Sequence, residues 1–250
     1  MKYLSIERQR PRIAVFDFTC CEGCELQLVN KEETLVDFLK AIEVVNFREA
    51  SSARSDDYDV ALIEGSISRA DEVERLRAIR ERAKVLVAFG SCAVFGGVNR
   101  LKNAFNLAEA NREVYGDKPK DTLPVRAIKE VVKVDLEIPG CPVSKAEVER
   151  IVQHIAMQVP YEFPVYPVCV ECKHRFTTCM FDKGHLCMGS VTRAGCEAPC
   201  PAGGLGCWGC RGPADEANLV EFFALARKRG HSDREIQERL NMFGGFEGVK

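Results

Sequence analysis

The first 160 residues alternate between short apolar runs and longer amphipathic stretches. Apolar runs rich in β-branched and aromatic residues predict five strands, over Ile13–Phe18, Glu43–Phe47, Val60–Ile63, Val85–Phe89 and Val131–Ile138. Helical periodicity predicts three helices between them, over Glu25–Ala41, Asp71–Ala83 and Ser144–Val159. Apolar strands separated by helices are typical of a parallel sheet that is covered on both faces. The pattern predicts an open α/β domain, with a partly helical insertion over residues 100–130.

The pattern changes near residue 160, where three prolines within residues 159–168 predict an extended connection. Residues 169–210 contain only four Leu, Ile or Val, so burial of apolar side chains cannot offset the entropy of ordering this segment. Helical periodicity returns over Pro213–Arg229, and Ser232 with Glu235 predicts a capping box for another helix. We expect a flavodoxin-like domain over residues 1–160 and a small irregular domain with C-terminal helices over residues 161–250.

Composition and charge exclude several classes of protein. A net charge of −2 gives no indication of binding to nucleic acid or to an anionic membrane. The uncharged stretch Val85–Asn99 is 15 residues long, too short to span a bilayer. The first residues, MKYLSIERQRPR, lack the apolar stretch or twin arginines of an export signal, so we expect a cytoplasmic protein. No G-x-G-x-x-G or Walker A pattern indicates a nucleotide site.

Thirteen cysteines are the unusual feature of the composition, and in a reducing compartment they favour metal binding over disulfides. Cys21 and Cys24 follow the first predicted strand, Cys92 follows the fourth, and Cys141 follows the last. The carboxyl ends of parallel strands meet at one edge of a sheet, where α/β folds bind their ligands. Four thiolates at that edge suit either a [4Fe–4S] cluster or a zinc ion.

The other eight thiols lie between residues 169 and 210, enough for two four-thiolate sites. They are Cys169, Cys172, Cys179, Cys187, Cys196, Cys200, Cys207 and Cys210. The C-x-x-C pair at each end of the segment is a strong ligand signal, since two thiolates on a tight turn point the same way. Spacing alone does not decide how the eight divide. His174 and His185 lie among them and could replace a cysteine, and Trp208 could shield a cluster from water.

Four motifs together resemble those of one family. TCCEGCE, EGSI at Glu64–Ile67, GSCAVFGG and PGCP occur in the order and spacing found in the small subunit of [NiFe] hydrogenases. The resemblance covers residues 11 to about 212. It implies that Cys21, Cys24, Cys92 and Cys141 bind a proximal [4Fe–4S] cluster next to the Ni–Fe site of a partner large subunit.

The same resemblance implies how the remaining thiols divide. The distal cluster takes Cys169, Cys172, Cys179 and Cys187, and the medial cluster takes Cys196, Cys200, Cys207 and Cys210. Cys169 stands where the best-known periplasmic members have a histidine, and Cys200 where they have a proline that leaves a three-iron cluster. We therefore expect three four-iron clusters, with the added thiolate charge lowering the potentials of the medial and distal ones.

The resemblance implies that the chain is the electron-transfer small subunit of a cytoplasmic [NiFe] hydrogenase of the group 3-like kind. Hydrogen is split or formed on the large subunit, and electrons pass through the clusters to a further flavin or iron–sulfur subunit. The acceptor beyond it, whether NAD(P), F420, ferredoxin or a heterodisulfide, is not encoded on this chain. No catalytic residue is expected here.

Alternatives stay open from the sequence. The cluster-bearing subunit of respiratory complex I has a similar α/β domain and holds only the proximal cluster. A zinc-stabilised interaction module would also use four-thiolate sites. Cys20 is left over, although the complex I relative uses an adjacent cysteine pair. Glu25 follows a ligand directly, where it could tune the cluster or relay a proton, and an exposed or helix-starting glutamate is the plainer interpretation.

Overall fold

The computed structural model describes residues 6–30 and 39–248. The chain divides into two compact units, with the division between Tyr161 and Glu162. Each unit has a hydrophobic core of its own. None of the helices in these residues is long and apolar enough to cross a membrane.

The first unit is built on a five-stranded sheet whose paired strands are all parallel. The strands are β1 Arg12–Asp17, β2 Glu43–Asn46, β3 Val60–Glu64, β4 Val85–Phe89 and β5 Leu136–Ile138. Their spatial order is β2-β1-β3-β4-β5. This is the flavodoxin-like order, in which the sequence of strands reverses beside β1. The predicted α/β class with an open parallel sheet is confirmed.

Burial explains why the strands read as continuous apolar runs, because β3 and β4 are buried along their whole length. The helices of this unit are α1 Gly23–Val29, α2 Ala70–Arg82, α3 Ser91–Phe95, α4 Leu107–Tyr115 and α5 Lys145–Met157, with 3-10 helices at Gly97–Ala104 and Ile128–Glu130. Leu76 and Ile79 of α2 pack into the core beside the strands. The side chain of Ser144 accepts a hydrogen bond from the Glu147 N–H and begins α5, as predicted.

Two predicted elements of this unit differ from the structure by more than two residues at one end. The last strand begins at Leu136 rather than Val131, because the N–H groups of Val131 and Val132 both bond to the Ile128 carbonyl and form a turn. Both valines lie in this turn and pack against the core, which explains their apolar character. An apolar run in the sequence does not show whether its residues form a buried turn or a strand. The helix predicted over Glu25–Ala41 ends at Val29; residues 39–41 are helical again, and residues 31–38 lie outside the described residues.

The second unit surrounds its cysteines with short helices. These are α6 Val168–His174, α7 Pro199–Ala202, α8 Leu219–Lys228 and α9 Asp233–Asn241, with 3-10 helices at Met180–Lys183 and Met188–Ser190. Helix α8 starts later than predicted, where the Asn218 side chain accepts the Glu221 N–H. Phe222, Ile236 and Leu240 of the last two helices share one core with Met188 and other apolar residues of the cysteine-rich segment. The C-terminal helices thus supply apolar surface that the cysteine-rich segment lacks.

The core of the second unit predicts a contrast between two residues of α8. Phe222 is 2% exposed and Val220 is 74% exposed. Phe222→Ala should cost about 3–5 kcal/mol of unfolding free energy, because it leaves a cavity in a small core. Val220→Ala should change it by less than about 0.5 kcal/mol. Denaturant unfolding of the metal-loaded chain measures both, and equal effects of the two substitutions would show that α8 does not stabilise this unit.

Candidate metal sites

The thiols of the first set lie on loops that leave the carboxyl edge of the sheet. Cys21 and Cys24 follow β1, Cys92 lies in α3 directly after β4, and Cys141 follows β5. Backbone bonds join the last two loops: the Gly90 N–H donates to the Ile138 carbonyl at 2.8 Å, and the Ser91 N–H to the Gly140 carbonyl at 2.8 Å. The parallel sheet therefore brings the four predicted ligands to one side of the unit.

Two glycines let the backbone approach these sulfurs closely. Gly90 has φ +91°, and a Cβ there would lie 2.5 Å from the Sγ of Cys24. Gly97 has φ +62°, and its Cβ would lie 2.6 Å from the Sγ of Cys92. A side chain at either position would collide with a predicted ligand in a backbone conformation that favours glycine. Glycine at these two positions therefore permits the close approach of the backbone to the site.

Electrostatic coupling links the four thiols. Burial raises the pKa of Cys92 to about 12, and the neighbouring thiols of Cys141 and Cys21 contribute to this rise. Burial also raises the pKa of Cys24, and Cys141 contributes there too. Thiols that disfavour each other's negative charge form a set that a cation would hold together.

Glu64, at the end of β3, orders the loop that carries Cys21 and Cys24. Its buried carboxylate accepts the N–H of Cys24 at 3.1 Å and the N–H of Glu25 at 2.7 Å. Helix α1 has no cap from its own N-cap side chain, so this carboxylate satisfies N–H groups of its first turn from a neighbouring strand. In the sequence Glu64 belongs to a motif but has no predicted role. An acidic residue ending a fully buried strand is the signal that could have identified it.

Glu25 and Cys20 lie beside the same site. Glu25 lies in the first turn of α1, close to the helix-starting position of one interpretation. It is 1% exposed, and its Oε1 has no hydrogen-bond partner among the described residues. Burial and the adjacent Glu64 raise the pKa of Glu25 to about 8. Burial raises the pKa of Cys20 to about 12, with contributions from Glu64, Glu25 and Cys92. Cys20 therefore lies close to the predicted ligands, and its position alone does not exclude it as a ligand.

Asn99 is a further residue of this edge that the sequence did not single out. Its side-chain Nδ2 donates to the Thr19 carbonyl at 2.8 Å and to the Ser66 hydroxyl at 3.1 Å, and it lies 3.9 Å from the Sγ of Cys92. One amide thus connects the loops after β1, β3 and β4. Asparagine on a loop is too common for its sequence position to predict this role.

In the second unit, the first four thiols form one electrostatic group. Burial raises the pKa of Cys169 to about 11, with contributions from Cys187, Cys172 and Cys179. The backbone of Gly189 packs against this group, since a Cβ there would lie 3.3 Å from the Sγ of Cys169 and 3.5 Å from that of Cys187. His174 and His185 are both exposed. The grouping agrees with the predicted distal set, and its binding of a cluster stays a prediction.

The last four thiols interact electrostatically as two pairs, Cys196 with Cys200 and Cys207 with Cys210. Burial raises the pKa of Cys196 to about 11; Cys200 adds to this rise, whereas the nearby guanidinium of Arg211 opposes it. Arg211 is 1% exposed, and its Nε donates to the Ala194 carbonyl at 2.8 Å. Burial raises the pKa of Cys207, with Cys210 adding to the effect.

Several cysteine sulfurs accept hydrogen bonds from backbone N–H groups, as sulfurs at iron–sulfur clusters do. The Cys207 N–H donates to the Sγ of Cys187 at 3.2 Å. Backbone N–H groups of Val143 and Val98 likewise hydrogen-bond to Cys24 and Cys92 and partly offset the effect of burial on their pKa values. Soft thiolate donors with N–H···S bonds and a largely buried setting are what a [4Fe–4S] cluster uses, so the residues fit this group.

The two bonds to Glu64 predict how the first site responds to its loss. Glu64→Ala leaves two buried N–H groups without an acceptor, at about 1–3 kcal/mol each. We expect a lower thermal stability and loss of about four irons per chain, with Glu64→Gln intermediate because one oxygen remains. Glu74→Ala, on the exposed face of α2, is the matched control. Unchanged iron content and melting temperature in Glu64→Ala would contradict this role for Glu64.

Known proteins resemble this chain along most of its length. Residues 21–155 match the NADH ubiquinone oxidoreductase 20 Kd subunit family. The chain is 39% identical to sulfhydrogenase 2 subunit delta of Pyrococcus furiosus, over 93% of this chain and 98% of that protein. It is 30% identical to a subunit of the vhu F420-non-reducing hydrogenase of Methanococcus voltae, over 94% of each.

Chains of solved NiFe hydrogenase structures have folds similar to that of this chain. A chain of an NAD+-reducing [NiFe]-hydrogenase in the H2-reduced state has a TM-score of 0.58 and 27% identity, and the match covers 62% of this chain and 96% of that one. A chain of the actinobacterial-type NiFe-hydrogenase from Ralstonia eutropha H16 has a TM-score of 0.60 over 93% of this chain and 90% of that one; at 14% identity it supports the fold alone. The chain belongs to the NADH ubiquinone oxidoreductase 20 Kd subunit family, and within it to the group 3-like NiFe hydrogenase subunits.

Proposed function

We propose that this chain is the electron relay of a [NiFe] hydrogenase. It would carry electrons between the Ni–Fe site of a partner large subunit, where H2 is oxidised or protons are reduced, and an acceptor subunit. Three [4Fe–4S] clusters would carry them, one in the first unit and two in the second. The observation that supports the proposal is thirteen free thiols, twelve of them at positions predicted as ligands, on a chain similar to hydrogenase subunits over nearly its whole length.

The cysteine-rich segment favours this function over that of a complex I-like subunit. The family match ends at residue 155, before all eight cysteines of the second unit. The match to sulfhydrogenase 2 subunit delta covers 93% of this chain and therefore extends well into that segment. A subunit that held a single cluster would have no use for eight further buried or half-buried thiols. We infer that the second unit exists to extend the path of the electron.

The proposed large subunit would bind at the carboxyl edge of the sheet. Cys21 and Cys141 are exposed there, so a cluster bound at this edge would face outward. Apolar side chains around the edge are exposed as well: Leu26 by 42%, Val98 by 44% and Phe105 by 66%. Exposed apolar groups beside a site that must lie near a partner's metal are typical of an obligate interface.

The acceptor subunit would bind near the distal cysteines of the second unit. Phe176 lies between Cys172 and Cys179, is 95% exposed, and has φ 54°. A bulky residue in this conformation is strained, and such strain persists mainly at functional positions. Three exposed basic or histidine residues precede it, Lys173, His174 and Arg175. An aromatic anchor beside basic groups suits a subunit that presents acidic side chains around its flavin or iron–sulfur centre.

The all-cysteine ligand sets support a low-potential path. More thiolate charge at a cluster favours its oxidised state and lowers its reduction potential. A low-potential path suits a soluble nicotinamide, deazaflavin or ferredoxin-type acceptor better than a quinone. Thirteen free thiols also suit a reducing compartment, and we infer a cytoplasmic location.

Anaerobic purification of the chain with its bound partners, followed by metal analysis, tests the proposed function. We expect nickel in the complex and about twelve irons per copy of this chain, from three four-iron sites. About four irons without nickel would favour a complex I-like subunit instead. Zinc in place of iron, in a colourless preparation, would contradict any electron-transfer role.

Two neighbouring cysteines provide a matched test of the proximal ligands. Cys21→Ser should lower the iron content by up to about four per chain and change the EPR spectrum of the proximal cluster, because a ligand is lost. Cys20→Ser should retain about twelve irons and an unchanged spectrum. The reverse pattern would show that Cys20, and not Cys21, is the ligand.

A further inference from the structure

A single arginine contacts the loops of both cysteine groups of the second unit. Arg239, in helix α9, is half-buried, and its guanidinium carbon lies 3.5 Å from the centre of the Trp208 ring. Trp208 stands between Cys207 and Cys210, inside the last C-x-x-C pair. This distance is well within the range of a cation–π contact, which fixes the cation over that loop.

The guanidinium also reaches the loop of the other group. Its Nη1 lies 3.4 Å from both the Cys207 carbonyl and the Leu186 carbonyl, and donates to each. Leu186 directly precedes Cys187. The two groups meet at this point, because the Cys207 N–H donates to the Sγ of Cys187 at 3.2 Å. Arg239 thus interacts electrostatically with both Cys187 and Cys207.

We propose that Arg239 raises the reduction potentials of the medial and distal clusters together, and that Trp208 holds it in the position to do so. The proposal rests on the proposed function, since it requires clusters at both sites. Reduction adds one electron to a four-thiolate cluster that already carries net negative charge. A fixed cation nearby stabilises the reduced form, and in a half-buried position it is screened less than a surface charge.

Sharing one cation has a consequence for electron transfer between the two sites. When the electron leaves one cluster and reduces the next, no bond forms or breaks and no proton moves. The step is fast in both directions only if the two potentials are similar. A cation that acts on both shifts them in the same direction and offsets the lowering of potential by the all-thiolate ligand sets.

Redox titration of the loaded protein, followed by EPR, tests this role. In Arg239→Met we expect the ratio of reduced to oxidised cluster at a fixed potential to fall by about threefold to tenfold for both clusters of the second unit. Tenfold equals about 59 mV for a one-electron couple. The first-unit cluster should not change. Arg239→Lys should retain much of the potential, because the charge remains.

Arg234→Met is the matched control, because Arg234 is on the same helix and its side chain is 86% exposed, beside Glu238. It should leave all potentials unchanged. Unchanged potentials in Arg239→Met, at full iron content, would overturn the proposal and leave Arg239 a structural residue. If that variant loses its iron, Trp208→Leu releases the guanidinium instead, and a shift in the same direction supports the proposal whereas no shift overturns it. Failure of the proposed function is distinct, since the wild-type chain would then lack these EPR signals.

Discussion

Sulfur atoms removed from water do not carry negative charge unless a cation accompanies them, and this constraint operates in both units. Burial raises the pKa of thiols in all three groups, among them Cys92, Cys169 and Cys196. A bound metal would convert such thiols to thiolates at neutral pH, and its binding would then be coupled to folding. The protein itself must therefore hold the thiols close to one another. It does so through close-packed glycines, N–H···S bonds and the hydrogen bonds that the Glu64 carboxylate accepts.

The two units meet this requirement by different means. The first has a complete core without its cysteines, and the parallel sheet delivers three loops to one edge. The second depends on short helices whose shared core includes Cys172, Cys187 and Cys207 themselves. Metal loss should therefore affect the second unit more severely, because its predicted ligands are also packing residues. The division suits the proposed relay, in which one unit would face a catalytic partner and the other would extend the path of the electron.

Hydrophobic periodicity and cysteine spacing made part of this structure predictable from the sequence. Periodicity predicted fully buried strands such as Val85–Phe89, and spacing predicted which cysteines lie at the edge of the sheet. Prediction failed where an apolar side-chain pattern occurs on a backbone that is not a strand. Val131 and Val132 pack against the core, but their backbone forms a turn. Glu64, Asn99 and Arg239 act through contacts with residues far away in the chain, and their residue types are ordinary at the surface. Only the folded chain brings their partners within reach.

In the proposed function, electrons from hydrogen pass through this chain. Exposing the anaerobic, oxidised complex to H2 and recording its EPR spectrum tests this electron transfer directly. Reduced-cluster signals should develop under H2 alone, match those produced by a chemical reductant, and fail to develop once the large subunit has been removed. Clusters that a chemical reductant reduces but that stay oxidised under H2 in the intact complex would contradict it.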